Sequence, residues 1–153
     1  MIKVLFICHG NICRSPMAEF VFKKIVADKG FSEKFLIDSA ATSTEEIGNG
    51  IHSGTKNKLT EMNIPFTRHR AVQITKADYE KYDYLIGMDS MNLRNMQRIF
   101  GFDSQHKIHR LLDFTSYPHD VADPWYTGNF DITYDDVNAG CSALFDYILE
   151  HNF

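Results

Sequence analysis

The sequence is poor in cysteine, in positive charge and in long apolar segments, and each shortage excludes a class of protein. Three cysteines in 153 residues are too few, and odd in number, for a disulfide-stabilised scaffold, so we expect free thiols and a cytoplasmic location. A net charge of −4 gives no general attraction to nucleic acid or to an anionic membrane surface. No segment is long and apolar enough to cross a bilayer, so we expect no membrane insertion.

Familiar anion-binding and metal-binding motifs are also missing. No Gly-Lys-Ser/Thr sequence ends a nucleotide-binding loop, and there is no three-glycine dinucleotide fingerprint. Cys8, His9 and Cys13 suggest a metal site only weakly, because no second pair of ligands stands at zinc spacing. His106 and His109 are an equally weak ligand pair. We therefore expect no metal and no other cofactor.

Predicted strands and helices alternate along the chain. The apolar run from Val4 to Ile7 indicates a strand buried on both faces, and Ser15-Pro16 begins a helix that stops before Gly30. Further strands are predicted at Phe35–Ile37, Tyr84–Ile86 and Lys107–His109. Ser53 is predicted to cap a helix through Leu59 and Met62, Thr75 to start a short helix, and Asp89 to cap a helix that stops at Gly101. After an irregular stretch from Thr115 to Asn129, a last helix carries Val137, Cys141, Leu144, Phe145 and Ile148 on one face. This order predicts one domain over residues 1–153, a three-layer α/β/α fold with a four-stranded parallel sheet of flavodoxin-like topology.

The loop after the first strand carries the candidate catalytic residues. Its backbone amides converge at the start of a helix, where the helix dipole favours an anion. Arg14 brings a fork that matches two phosphate oxygens, and its charge favours the thiolate form of Cys8. Gly10 permits close approach of the backbone, and Ser15 offers a hydroxyl group to the sulfur. A cysteine at the end of an apolar strand is more often an inert core residue, but the five-residue spacing to Arg14 favours a nucleophile and a phosphate clamp.

The loop Cys8-His9-Gly10-Asn11-Ile12-Cys13-Arg14-Ser15-Pro16 resembles the signature of the low-molecular-weight protein tyrosine phosphatases. The similarity covers essentially the whole chain and includes Asp38-Ser39-Ala40-Ala41, His69-Arg70-Ala71-Val72-Gln73, Met88-Asp89 with Asn92-Leu93-Arg94, and Asp123-Pro124-Trp125-Tyr126. The resemblance implies hydrolysis of protein phosphotyrosine through a phosphocysteine on Cys8, with Arg14 as phosphate clamp. Inorganic phosphate would be the product and an inhibitor. Asp120 and Asp123 both compete as general acid, and the resemblance selects Asp123, the aspartate directly before proline.

Other residues are expected to support the loop or to line the substrate slot. Asn11 is predicted to hold an unusual backbone conformation through side-chain hydrogen bonds, and the resemblance suggests Ser39 and His69 as its support. Trp125 and Tyr126 are expected to form an aromatic wall of a deep slot, which phosphotyrosine fills and phosphoserine is too short to use. Glu45 is expected at the other rim, where the family often carries an aromatic, and this tilts the preference away from acidic peptides.

Alternative activities on this fold stay open at this point. A phosphoarginine phosphatase typically has Thr where this chain has Ile12, and a thiol-dependent arsenate reductase relays electrons through two further cysteines, whereas only Cys141 follows here. A sugar-transport phosphocarrier also holds phosphate on a cysteine but needs no arginine clamp. A reversible Cys8–Cys13 disulfide against over-oxidation is a further hypothesis. We expect a monomer and leave weak self-association through Trp125 and Tyr126 open.

Overall fold

The computed structural model describes residues 1–153 and is built on a four-stranded sheet in which all strands are parallel. The strands are β1 (Ile2–Cys8), β2 (Phe35–Ala41), β3 (Tyr84–Gly87) and β4 (Ile108–Arg110), in the spatial order β2-β1-β3-β4. The helices are α1 (Arg14–Asp28), α2 (Ser53–Glu61), α3 (Asp78–Lys81), α4 (Ser90–Phe100), α5 (Pro124–Thr127) and α6 (Phe130–Asn152). The predicted α/β class and flavodoxin-like strand order are confirmed.

Apolar side chains cover both faces of the sheet, which explains why the first strand reads as a continuous apolar run. In β1, Val4 and Phe6 belong to a core shared with α1 and α6, whereas Leu5 and Ile7 belong to a second core shared with α3 and α4. Successive side chains of a strand point to opposite faces, so a strand between two helical layers must be apolar at every position. The sheet is therefore the middle of three layers.

Several helix boundaries differ from the sequence prediction. Ser53 is the first residue of α2 and not its cap; His52 is the cap, and its Nδ1 accepts a hydrogen bond from the Gly54 N–H at 3.0 Å. Histidine is not among the usual capping residues, so the sequence pattern favours Ser53 as the cap. The helix predicted from Thr75 begins only at Asp78, because the residues before it form a turn in which the Asp78 N–H donates to the Thr75 carbonyl at 3.0 Å.

A short helix interrupts the stretch predicted to be irregular. Asp123 caps α5 by accepting the Trp125 N–H at 3.0 Å, and Pro124 supplies the first helical residue. Proline suits this position because its fixed φ is already helical and it lacks an N–H that would go unpaired. Gly128 ends the helix with a positive φ of 69°. The predicted limits of α4 are confirmed: Asp89 forms a capping box with Asn92, and Gly101 ends the helix.

The topology brings several loops to one edge of the sheet. Because the strands are parallel, the segments that follow β1 and β3 leave from the same side, and the Met88 carbonyl accepts a hydrogen bond from the Val121 N–H at 3.0 Å. This contact draws the segment before α5 over the carboxyl end of β1. None of the six helices combines the length and the apolar character needed to cross a lipid bilayer.

Candidate active site

Cys8 ends β1 at the mouth of a hydrogen-bonded loop. We call residues 8–14 the phosphate loop. The Cys8 Sγ accepts hydrogen bonds from the Asn11 N–H at 3.3 Å and the Ser15 N–H at 3.4 Å, and it lies 3.0 Å from the Ser15 Oγ. The Asn11 N–H comes from the loop and the Ser15 N–H from the first turn of α1, where the helix dipole adds positive potential. The arrangement stabilises negative charge on the sulfur.

Asn11 holds the phosphate loop in a left-handed backbone conformation, with φ of 60°. Its fully buried side chain donates to the Ser15 Oγ at 2.8 Å and the Ser39 Oγ at 2.9 Å, and its Oδ1 accepts the Val72 N–H at 3.2 Å. The His69 Nε2–H donates to the Asn11 carbonyl at 2.7 Å. Few residues other than glycine adopt a positive φ at low cost, and asparagine is one of them. Ser39 and His69 thus both contact Asn11, as the resemblance suggested.

Arg14 is the last residue of the phosphate loop, and segments that are distant in sequence hold its guanidinium group. Its Nη1 donates to the Asp89 carboxylate at 2.7 Å and to the Val121 carbonyl at 2.8 Å, and its side chain is 3% exposed. Burial acts to lower the pKa of Arg14, but the nearby Cys8 and Asp89 charges outweigh it and the net pKa is raised. Arg14 therefore stays cationic, and it lines the same pocket as Cys8.

Only one of the two competing aspartates reaches the site. Asp123 lines the same pocket as Cys8, and its Oδ2 lies 3.5 Å from the Arg14 Nη2. Asp120 instead accepts hydrogen bonds from Arg110 at 2.8 Å and from the Ser90 N–H at 3.0 Å. Burial acts to raise the pKa of Asp120, but these bonds and the Arg110 charge give a net lowering, so Asp120 is a poor proton donor.

A pocket of about 480 Å³ lies in front of the loop. Trp125 and Tyr126, which are 59% and 84% exposed, line it together with Glu45 and Glu46. The full lining is Cys8, His9, Gly10, Ile12, Cys13, Arg14, Glu45, Glu46, Asp123, Trp125 and Tyr126. The pocket therefore has a cationic, amide-lined floor, an aromatic wall and an acidic rim.

The two loop cysteines differ in their electrostatic surroundings. Burial, followed by the neighbouring Cys8 charge, raises the pKa of Cys13 from its ordinary value of 9.0 to about 12. Cys13 therefore remains a neutral thiol at physiological pH. Burial likewise raises the pKa of Cys141, which lies on the inner face of α6 with its Sγ 3.6 Å from the Ala18 carbonyl. Neither residue shares the set of donors that surrounds the Cys8 sulfur.

Several residues of the site were not assigned to it from the sequence. Asp89 was expected only to cap α4, yet it also anchors Arg14; its place directly after β3, next to β1, was the available signal. Glu19 accepts a hydrogen bond from Ser39 at 2.6 Å and so extends the support behind Asn11. Glu46 lines the pocket beside Glu45, which pairs with His9.

No group of three or more histidine, cysteine, aspartate or glutamate side chains comes together in an arrangement suited to a metal ion.

Comparison with known proteins identifies clear relatives. Residues 3–152 match the family model described as low molecular weight phosphotyrosine protein phosphatase. The chain is 42% identical over 146 residues to the low molecular weight protein-tyrosine-phosphatase YfkJ of Bacillus subtilis, covering 94% of each chain. It is 36% identical over 151 residues to the low molecular weight protein-tyrosine-phosphatase PtpA of Staphylococcus haemolyticus, covering 98% of this chain and 96% of the relative.

Solved structures agree with the sequence matches. The crystal structure of YfkJ from Bacillus subtilis superposes with a TM-score of 0.97 at 40% identity, covering 100% of this chain and 98% of that one. The low molecular weight protein tyrosine phosphatase SP-PTP from Streptococcus pyogenes superposes with a TM-score of 0.86 at 42% identity and full coverage of both chains. The similarity therefore extends to the whole fold, including the loop around Cys8.

Proposed function

The chain belongs to the low molecular weight phosphotyrosine protein phosphatase family, and we propose that it hydrolyses protein phosphotyrosine through a phosphocysteine formed on Cys8. Membership makes it a phosphoric monoester hydrolase. The observation that carries the proposed mechanism is the convergence of Cys8, Arg14 and Asp123 on one pocket. A nucleophile, a phosphate clamp and a proton donor are the groups that this chemistry needs.

The first step is attack of the Cys8 thiolate on phosphorus, which forms the S–P bond and breaks the bond to the tyrosine oxygen. The phosphate loop amides and Arg14 stabilise the equatorial oxygens, on which the charge develops. Asn11 keeps those amides aimed inward because its side chain fixes the left-handed turn. The Ser15 hydroxyl group, 3.0 Å from Sγ, stabilises the thiolate before attack and again as the leaving group.

Asp123 completes both half-reactions. In the first, its carboxyl proton moves to the departing tyrosine oxygen, so that a neutral phenol leaves. In the second, its carboxylate accepts a proton from the water that attacks phosphorus, the S–P bond breaks, and inorganic phosphate and the thiolate are regenerated. The ion pair of Asp120 with Arg110 supports Asp123 as the acid, because it engages the only competing carboxylate in that segment.

The shape of the pocket supports selectivity for aryl phosphate. Trp125 and Tyr126 stand above a nucleophile that is only 3% exposed, so phosphate must be presented on a long, flat side chain. Ile12 adds an apolar surface to the lining. Cys141 is fully buried behind α1, which argues against a cysteine relay of the kind that a thiol-dependent arsenate reductase needs.

Charge at the rim supports a preference among peptides. Glu45 and Glu46 place two carboxyl groups beside the pocket, although Glu45 is paired with His9. Peptides with lysine or arginine beside the phosphotyrosine should therefore be cleaved faster than peptides with glutamate there. The difference should shrink at high salt, because the Glu45 side chain is exposed and Glu46 is partly so.

The remaining properties follow from the thiol chemistry. All three cysteines are free, and a reactive thiol persists best in a reducing compartment, so we propose that the enzyme works in the cytoplasm. We also propose that residues 1–153 form one catalytic domain acting as a monomer, with a phosphoprotein as substrate.

The test is release of inorganic phosphate from a phosphotyrosine peptide in the presence of EDTA. We expect turnover by the wild type, none by Cys8→Ser, and a rate reduced by about 10²-fold or more in Asp123→Ala with substrate binding retained. Phosphoserine and phosphoarginine peptides should be poor substrates. Undiminished turnover by Cys8→Ser would exclude the phosphocysteine, and preferred cleavage of phosphoarginine would exclude the proposed substrate.

A further inference from the structure

His52 contacts two of the segments that line the pocket. Its backbone N–H donates to the Ile12 carbonyl of the phosphate loop at 2.9 Å. Its imidazole ring lies edge-on to the Trp125 ring, with centroids 5.8 Å apart and planes at 78°. The same ring stacks on Phe130 at 5.4 Å and 18°. One residue therefore joins the phosphate loop to the segment that carries Asp123.

Several contacts hold the His52 ring and the first turn of α2 in place. The Gly54 N–H donates to Nδ1 at 3.0 Å, which fixes the orientation of the ring. Gly54 itself lies under Phe130, where a Cβ atom would come within 2.3 Å of the phenyl ring. The Lys58 Nζ bonds to the Asp131 carboxylate at 2.8 Å and so ties α2 to the start of α6.

A second hydrogen bond connects the first turn of α2 to the phosphate loop. The hydroxyl group of the fully buried Thr55 donates to the Cys13 carbonyl at 3.1 Å. Together with the bond from His52 to Ile12, it anchors the first turn of α2 to two successive carbonyls of the loop. The His52 ring is thus fixed relative to the nucleophile.

Trp125, by contrast, has little support of its own. It is 59% exposed and lies on the four-residue helix α5, and its ring meets no aromatic ring other than His52. Its backbone N–H donates to the Asp123 Oδ1 at 3.0 Å, so a shift of Trp125 shifts the carboxyl group as well. On the basis of the proposed function, we propose that His52 is a positioning residue that holds Trp125 and, through it, the general acid Asp123 at a fixed place relative to Cys8.

Two substitutions separate the ring contact from the helix cap. His52→Asn keeps an acceptor for the Gly54 N–H but removes the ring, whereas His52→Phe keeps a ring and removes the acceptor. We expect His52→Phe to lower the melting temperature by about 2–4 °C and His52→Asn to change it little. His151→Asn, on the exposed end of α6, is the matched control.

The decisive measurement is kcat/KM for aryl phosphates whose leaving groups differ in pKa. A misplaced acid slows substrates with poor leaving groups and spares those with good ones, because only the former need the proton. We expect His52→Asn to lower kcat/KM for phenyl phosphate about tenfold, since only part of the roughly 10²- to 10⁴-fold contribution of a general acid is lost. Dinitrophenyl phosphate should react at the wild-type rate, so the plot of log kcat/KM against the pKa of the leaving group should be steeper in His52→Asn. His52→Phe and His151→Asn should keep the wild-type slope of this plot.

Tryptophan fluorescence gives an independent readout, because Trp125 is the only tryptophan in the chain. Acrylamide should quench Trp125 more strongly in His52→Asn than in the wild type or in His52→Phe. If the slope is unchanged in His52→Asn but steeper in Asp123→Asn, the role of His52 is overturned and Asp123 remains the acid. An unchanged slope in Asp123→Asn would instead refute Asp123 as the acid, and this inference with it.

Discussion

Replacement of Asn11 by alanine should show how much of the phosphate loop depends on one side chain. Asn11 has φ of 60° and makes three side-chain hydrogen bonds, to Ser15, Ser39 and Val72. Alanine in this conformation costs about 1 kcal/mol, and each lost hydrogen bond costs about 1 kcal/mol. The sum is about 4 kcal/mol, which is a large part of the roughly 5–15 kcal/mol that stabilises a domain.

The chain contains a matched control for the backbone part of this cost. Asn63 has nearly the same φ, 58°, but lies exposed at the end of α2, where its side chain makes no hydrogen bond. Asn63→Ala should therefore pay only the conformational cost and lower the melting temperature by about 2–4 °C. Asn11→Ala should lower it by about 8–16 °C. Asn11→Gly, which tolerates the positive φ, should fall between them.

The assay pairs thermal unfolding with kcat/KM on a phosphotyrosine peptide. We expect kcat/KM to fall about 10²-fold in Asn11→Ala, because small displacements of the donors and the nucleophile are costly. Asn63→Ala should be as active as the wild type. Equal losses of melting temperature in the two alanine variants would show that the buried hydrogen bonds contribute nothing. Full activity in a destabilised Asn11→Ala would show that catalysis does not need the left-handed turn.

Three further predictions concern packing and the loop thiol. Gly140→Ala should lower the free energy of unfolding by about 1–3 kcal/mol, because its Cβ would meet the Leu111 Cγ at 2.5 Å, whereas the exposed Asn138→Ala should not. Folding raises the pKa of Cys13 from 9.0 to about 12, so the unfolded chain loses this proton at a lower pH than the folded chain. The contribution of the buried thiol to the free energy of unfolding is therefore complete below pH 9 and is lost as the pH rises toward 12. Cys13→Ser should lose less stability than the wild type over that range. After peroxide, Cys13→Ser should regain less activity with reductant than the wild type, because a Cys8 sulfenic acid then has no loop thiol with which to form a disulfide and release water.

Each of these has a clear contrary result. A Gly140→Ala variant as stable as the wild type would mean that Leu111 moves aside at no cost. Parallel alkaline unfolding curves for the wild type and Cys13→Ser would mean that this thiol is not buried in solution. Equal recovery of the two proteins after peroxide would remove the protective role of Cys13.

Local sequence determined the fold class and the chemistry of the phosphate loop. Cys8 ends β1 and Arg14 begins α1, so one short loop joins them. Short-range geometry therefore brings the two residues together wherever that loop forms. The apolar run of β1 and the capping residues of α4 likewise act over a few residues. Patterns of this kind can be read without a three-dimensional structure because their partners are neighbours in the chain.

Tertiary packing decided the parts of the site that come from far along the chain. The resemblance selects Asp123 over Asp120 as the predicted acid, but only the folded chain shows that Asp120 pairs with Arg110 while Asp123 lies beside Arg14. The contact of His52 with Trp125 joins residues that are 73 positions apart in numbering. Side-chain direction at such distances follows from the order of strands in the sheet and from the packing of α2 on α6, which only the folded chain defines.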